Sequence, residues 1–160
     1  MLRYPYPDRS ELPGWQLTPD ESRVTFRKWY VESARLNHDN FTNAIEFTVD
    51  DAWEGEKFTV LDFGGGGGQF AMVVKSRFYT ADVHLVDAND HCVIDEWAGV
   101  NHVIKFSDFP EDPTQFDLIF LNDVFEHIED PVGTLRLLNG KLRAGGKIFI
   151  DTPRQFWLYS

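Results

Sequence analysis

Positive charge is scarce in this 160-residue chain: 15 lysines and arginines stand against 26 aspartates and glutamates, a formal net charge of −11. A surface this acidic repels nucleic-acid phosphate at long range and argues against RNA or DNA as a partner. Cysteine is nearly absent. With Cys92 as the single example, no intrachain disulfide can form, which fits a reducing compartment. No apolar run approaches the roughly 18 residues a membrane span needs. The N-terminus is polar and proline-bearing, without the apolar region of a secretory signal. These absences predict a cytoplasmic protein that engages no membrane. Metal-ligand spacing is missing as well: the five histidines and Cys92 form no H-x-x-x-H or C-x-x-C pattern, so no metal is expected. No nucleophile–base pair for covalent catalysis stands out either.

Apolar and aromatic residues are plentiful, at 42% and 15% of the chain. That composition is globular rather than disordered, and the length suits one domain with a real core. The aromatics read mainly as core side chains, with the option that some line a ligand pocket. Residues 1–18 carry three prolines and read as an extended arm. Thr18, Pro19 and Glu21 then offer an N-cap, a first-turn proline and a capping-box acid, predicting a helix to about Arg35. A second helix is expected over Asn40 to Trp53.

From residue 58 the pattern alternates. Short apolar runs at 58–61, 83–86, 102–106, 116–121 and 147–151 read as buried strands. Helices are expected between them at 69–78, 89–97 and 131–142, with a turn at Ala144-Gly145-Gly146. Strands alternating with helices imply an α/β fold with a mostly parallel sheet and right-handed crossovers. Ligands on such sheets bind at the carboxyl ends of the strands. The polar residues at those ends are Asp62, Asp87, Asp108, Asn122, Asp123 and Asp151.

Five consecutive glycines, Gly64 to Gly68, follow the first strand. Each glycine in regular structure costs about 0.5–1 kcal/mol relative to alanine, so such a run marks a backbone that must approach something closely. Two cofactors use a loop of this kind. The dinucleotide fingerprint G-x-G-x-x-G/A is met formally by Gly66, Gly68 and Ala71, and Asp87 lies near the spacing of a ribose-binding acid. Against it, Asp62 closes the first strand, where a carboxylate would repel a pyrophosphate and favour the amino group of an amino-acid ligand. About 55 residues also precede the first strand, which a dinucleotide domain usually places at its start. The glycines alone leave both readings open.

V-L-D-F-G-G-G-G-G resembles motif I of the class I methyltransferases, an acid followed by G-x-G-x-G, here Asp62, Gly64, Gly66 and Gly68. F-D-L-I-F-L-N-D-V-F-E-H-I-E-D-P at 116–131 is similar to the fourth-strand region of the small-molecule, ubiquinone-biosynthesis-like branch. L-R-A-G-G-K-I-F-I-D-T-P at 142–153 resembles its fifth-strand segment, with Ala144 replacing the usual proline. The resemblance implies a Rossmann-like three-layer sandwich, with residues 56–160 as the S-adenosylmethionine-binding core and residues 1–55 as an arm and helices covering the site. It implies that Gly64, Gly65, Gly66 and Gly68, with Phe63, lie against the methionine and ribose. Asp62 would orient the amino group, Asp87 would accept from the ribose hydroxyls, and Ala88 and Asn89 would flank the adenine. Asp108 would bond the adenine amino group, with the Phe109 backbone nearby. Asn122 and Asp123 would border the methyl group. His127 is the candidate general base, should the acceptor need one, and His38 a second. Glu126, Glu129 and Asp130 read as caps for the helix entered at Pro131.

The function implied is methyl transfer to a small-molecule acceptor. A non-catalytic S-adenosylmethionine-binding module and a nicotinamide-dependent oxidoreductase are the competing readings. The family pattern continues beyond the fifth strand with a helix and a reversed strand pair, which this chain lacks. The fifth strand would then be an open edge, and a truncated chain or a homodimer is expected.

Overall fold

In the computed structural model of the chain, the structure describes residues 38–49, 56–88 and 100–152. The proline-bearing arm, the helix expected to Arg35, the helix expected over 89–97 and the apolar C-terminal end lie outside these residues. The described elements are α1 (His38–Thr48), β1 (Thr59–Phe63), α2 (Gln69–Arg77), β2 (Asp82–Asp87) and β3 (His102–Lys105). They continue with β4 (Phe116–Asn122), a short 3-10 turn (Phe125–His127), α3 (Pro131–Gly140) and β5 (Leu142–Asp151). No helix among the described residues is long and apolar enough to cross a membrane.

The five strands form one sheet in the order β3-β2-β1-β4-β5, with every pairing parallel. All of β1 is buried, and so is nearly all of β2 and β4. Strands covered on both faces must be apolar throughout, which is why they read as continuous runs rather than alternations. Alternate residues feed two cores. On one face Val60, Val83 and Phe120 pack with Ala44 and Ile45 of α1 and with Phe70 and Val74 of α2. On the other, Leu61, Val86 and Ile119 pack with Phe109 and Leu138. This is the expected three-layer α/β sandwich. Strand order reverses between β1 and β4, which opens a crevice at their carboxyl ends.

The helix expected over Asn40 to Trp53 runs from His38 to Thr48, and two boundaries around β5 also differ from expectation. The strand expected at Lys147 begins at Leu142, because Ala144-Gly145-Gly146 is a bulge inside β5 rather than a turn before it. Phe116 pairs with Leu142 but Leu118 with Lys147, so β5 carries extra residues at this point. Gly145 takes the left-handed conformation at φ 84, and a Cβ on Gly146 would sit 2.9 Å from the Asp117 carbonyl. The helix expected to reach Leu142 stops at Gly140. Lys141 leaves it with its ammonium buried against the Pro110 and Asp112 carbonyls and 5.3 Å from the centre of the Phe109 ring.

The start of α3 is as expected. Pro131 occupies the first turn, and the Asp130 carboxylate accepts from the Gly133 N–H at 2.9 Å. Of the three acids read as caps, Asp130 takes this position, whereas Glu126 lies 3.9 Å from His127 Nε2. Asp130→Ala should destabilise the protein by about 1 kcal/mol, the usual loss for an N-cap. A urea midpoint unchanged by this substitution would show that the cap contributes nothing.

Candidate functional site

β1 delivers the chain into the glycine loop at the crevice. Gly64, Gly66 and Gly68 have φ of 79°, 54° and 85°, a region that costs other residues about 1–2 kcal/mol each. Those are the three glycines that the acid-G-x-G-x-G reading selects. Gly65 answers a different demand, for space. A Cβ there would overlap Asp62 Oδ2 and lie 2.8 Å from Leu85 Cδ1. A Cβ on Gly64 would lie 2.5 Å from Val124 Cγ2. The loop is held by its own backbone: the Gly64 N–H donates to the Val86 carbonyl at 2.6 Å and the Gly68 N–H to the Gly65 carbonyl at 2.9 Å.

Two carboxylates flank this loop. Asp87, buried at the end of β2, accepts from the Gly66 N–H at 2.9 Å. Asp62 is 2% exposed, and its Oδ2 has no hydrogen-bond partner among the described residues. Burial, and then the neighbouring Asp87, push the Asp62 carboxyl from 3.8 up to about 7. Leaving a buried polar atom unpaired is costly, so each case asks for an explanation. A second case lies on the adjacent strand, where Asn122 Nδ2 at the end of β4 is also buried and has no partner among the described residues. One unmet acceptor and one unmet donor therefore lie at the carboxyl ends of adjacent strands, beside a backbone stripped of side chains. That combination suits a ligand carrying both a cationic donor and an acceptor.

Beyond Asn122 the chain turns sharply. Asp123 has φ 53, a conformation rare outside glycine, and its N–H donates to the Asp151 carbonyl at 3.0 Å. Its carboxyl is raised by burial and then by Asp151 and Glu126, with His127 opposing. His127 is half-buried on the 3-10 turn, within electrostatic reach of Asp123. Asp108 is exposed after β3, two strands away from β1, and accepts from the Ser107 hydroxyl at 2.9 Å. The Phe109 ring is buried in the core beside Phe63, so a ligand can meet only its backbone. Ala88 is half-buried directly after Asp87. Asn89 lies outside the described residues, and His38 opens α1.

The structure thus gathers Asp62, the loop and Asp87 into one unit, with Asn122 on the neighbouring strand. It leaves Asp108 and His127 on the rim. The sequence reading missed Val124, which is fully buried and forms the wall that Gly64 must clear. A lone valine after N-D carries no pattern that would have marked it.

A family described as "Methyltransferase domain" matches residues 17–159 of the chain. A malonyl-[acyl-carrier protein] O-methyltransferase of Ilyobacter polytropus is 24% identical over 131 residues, covering 78% of this chain and 49% of that protein. A sarcosine/dimethylglycine N-methyltransferase of Halorhodospira halochloris is 30% identical over 105 residues, covering 60% of this chain and 38% of that one. Among solved structures, a phosphoethanolamine N-methyltransferase of Haemonchus contortus in complex with S-adenosyl-L-methionine superposes with a TM-score of 0.56 at 25% identity. It matches 70% of this chain and 27% of its own. The chain spans about half the length, or less, of the curated relatives it matches.

Proposed function

The chain belongs to the methyltransferase-domain family, and from that premise we propose that it is an S-adenosylmethionine-dependent methyltransferase acting on a small-molecule acceptor. The observation that carries this reading is the buried Asp62 carboxylate against the glycine loop, whose Oδ2 has no partner among the described residues. An ammonium group there would satisfy the carboxylate and restore its ionised form. A pyrophosphate would add charge of the same sign beside Asp62 and Asp87, which disfavours a dinucleotide. The cofactor bound by the Haemonchus contortus enzyme has the zwitterionic end that this donor–acceptor pair fits.

When bound, the cofactor supplies an electrophilic methyl group on its sulfonium. Asp62 orients the amino group. The bare backbone of Gly64, Gly65, Gly66 and Gly68, beside Phe63, packs against the methionine and ribose. Asp87 receives the ribose hydroxyls, a task suited to a carboxylate. Ala88, Asp108 and the Phe109 backbone border the adenine, while Asn122 and Asp123 border the reacting end. What the chain must then do is align the acceptor with the S–CH3 bond, and alignment of this kind is worth up to roughly 7–11 kcal/mol. His127 takes a proton where the acceptor carries one to lose. Of the segment 1–55 expected to cover the site, residues 38–49 are described, and their helix α1 packs on the core through Ala44 and Ile45. β5, which pairs only with β4 among the described residues, is the edge on which a second copy would assemble.

Calorimetry with S-adenosylhomocysteine and with NAD(H) tests the reading. Binding of the first and not the second is expected, and the reverse would sink it. Asp87→Asn keeps an acceptor for the Gly66 N–H but removes the charge. It should weaken S-adenosylhomocysteine by about 1.5–3 kcal/mol, as for a hydrogen bond to a charged group. An unchanged affinity would refute the ribose assignment. Binding without methyl transfer across a broad acceptor panel would reduce the protein to a cofactor-binding module.

A further inference from the structure

Away from the crevice, β2 and β3 carry a second cluster. Asp82 and His84 stand two residues apart on β2 and so share one face of the sheet. His102 opens β3 and pairs directly with His84 in the strand register. The carboxylate of Asp82 lies between the two rings, with Oδ2 at 3.3 Å from His84 Nε2 and Oδ1 at 3.5 Å from His102 Nε2. One ligand atom from each of the three residues can be chosen so that all lie within 4.8 Å of one another.

We propose that Asp82, His84 and His102 bind a divalent transition-metal cation of the zinc class, clamping β3 to β2 at the end of the sheet opposite the crevice. Four donors around zinc, at about 2.0–2.2 Å from the ion, stand about 3.3–3.5 Å from one another in a tetrahedron. Each carboxylate oxygen lies about one such edge from one imidazole nitrogen, and a shared ion would draw in the remaining separation, which is within 4.8 Å. An ordinary ion pair needs one histidine per carboxylate. Here two rings crowd the same acid with centroids 4.4 Å apart, where two imidazolium charges would repel. One metal ion satisfies both rings and the carboxylate together.

The donor set selects the ion. Two imidazoles and one carboxylate suit zinc, cobalt or nickel, whereas magnesium and calcium prefer all-oxygen shells. The side chains of Asp82 and His102 are 47% and 58% exposed, so solvent can reach the remaining coordination position. The ligands are also held in place. Asn101, next to His102, donates its backbone N–H to the Val83 carbonyl, and its side-chain oxygen accepts from the Val83 N–H, both at 2.8 Å. The edge of Phe116 supports the His84 ring at 5.4 Å. The benefit falls on β3, a four-residue strand that pairs only with β2 among the described residues.

The test uses the full chain stripped with a chelator and titrated with zinc chloride by calorimetry. One equivalent should bind, and magnesium should not compete. His102→Ala and Asp82→Asn change exposed side chains and should each weaken zinc at least tenfold with unchanged circular dichroism. Zinc should raise the melting temperature of the wild type, since an ion that binds only the folded state stabilises it, and should not raise that of His102→Ala. S-adenosylhomocysteine affinity should be the same in both variants, which separates this site from the crevice. Absence of zinc binding up to millimolar concentration would overturn the proposal, as would zinc binding that survives both substitutions.

Discussion

Asp62→Asn is expected to make the ligand-free protein more stable than the wild type at pH 8 while weakening its hold on S-adenosylhomocysteine. Burial and Asp87 raise the folded-state carboxyl from 3.8 to about 7. Below pH 4 the group is protonated in both folded and unfolded chains and has no effect. Between pH 4 and 7 the folded protein keeps a proton that the unfolded chain has lost, so stability falls as pH rises. Above pH 7 the penalty is constant, and the size of the rise sets it at about 4 kcal/mol at most. Asparagine fills the same space without a charge and removes this slope. Unfolding free energies from urea titrations at pH 5 and pH 8 should therefore diverge for the wild type by about 3 kcal/mol more than for the variant. Ligand affinity should run the other way. In the wild type it should increase from pH 5.5 to 7.5 as Asp62 ionises to meet the ammonium, and in the variant it should stay flat. Parallel stability losses in the two proteins would show that Asp62 is already ionised when folded.

Gly65→Ala should cost the second large effect. The added methyl overlaps Asp62 Oδ2 and presses on Leu85 Cδ1 at 2.8 Å. Overpacking of this kind destabilises by about 1–3 kcal/mol, and a displaced Asp62 should lower S-adenosylhomocysteine affinity more than tenfold. Two comparisons isolate the cause. Gly140→Ala meets nothing within 4 Å and should be nearly silent. Adding Asp62→Ala to Gly65→Ala removes the main clash, so the pair should be less destabilising than the two changes summed, while ligand binding stays lost. Strict additivity in stability would mean that the alanine methyl and the carboxylate do not meet.

These outcomes depend on features that the sequence reveals unevenly. The strands of the sheet were legible because β1, β2 and β4 are covered on both faces and must be apolar. Asp130 and Pro131 were legible because capping is local. The loop register was legible less directly. Five glycines alone spell two fingerprints, and the acid before them, Asp62, is what selects Gly64, Gly66 and Gly68, the three of the run with positive φ. The bulge in β5 was hidden for a related reason: Gly145-Gly146 signals a departure from regular structure without saying whether the strand resumes. Asp62 was recognisable as an acid before the loop, but its burial and its missing partner arise from Gly65, Leu85 and Asp87, which meet only after folding. Asp82, His84 and His102 escaped notice because their proximity is set by the parallel register between β2 and β3, and no spacing along one strand encodes it.

The Gly64 N–H donates to Val86, the Gly66 N–H to Asp87 and the Gly68 N–H to Gly65, so groups of the chain itself hold the loop. Fixing a residue's backbone costs about 1–2 kcal/mol of conformational entropy, and glycine has the most to lose. For this loop that loss is incurred when the chain folds, not when a ligand arrives. Association should accordingly proceed onto a preorganised cradle, with affinity undiminished by loop ordering.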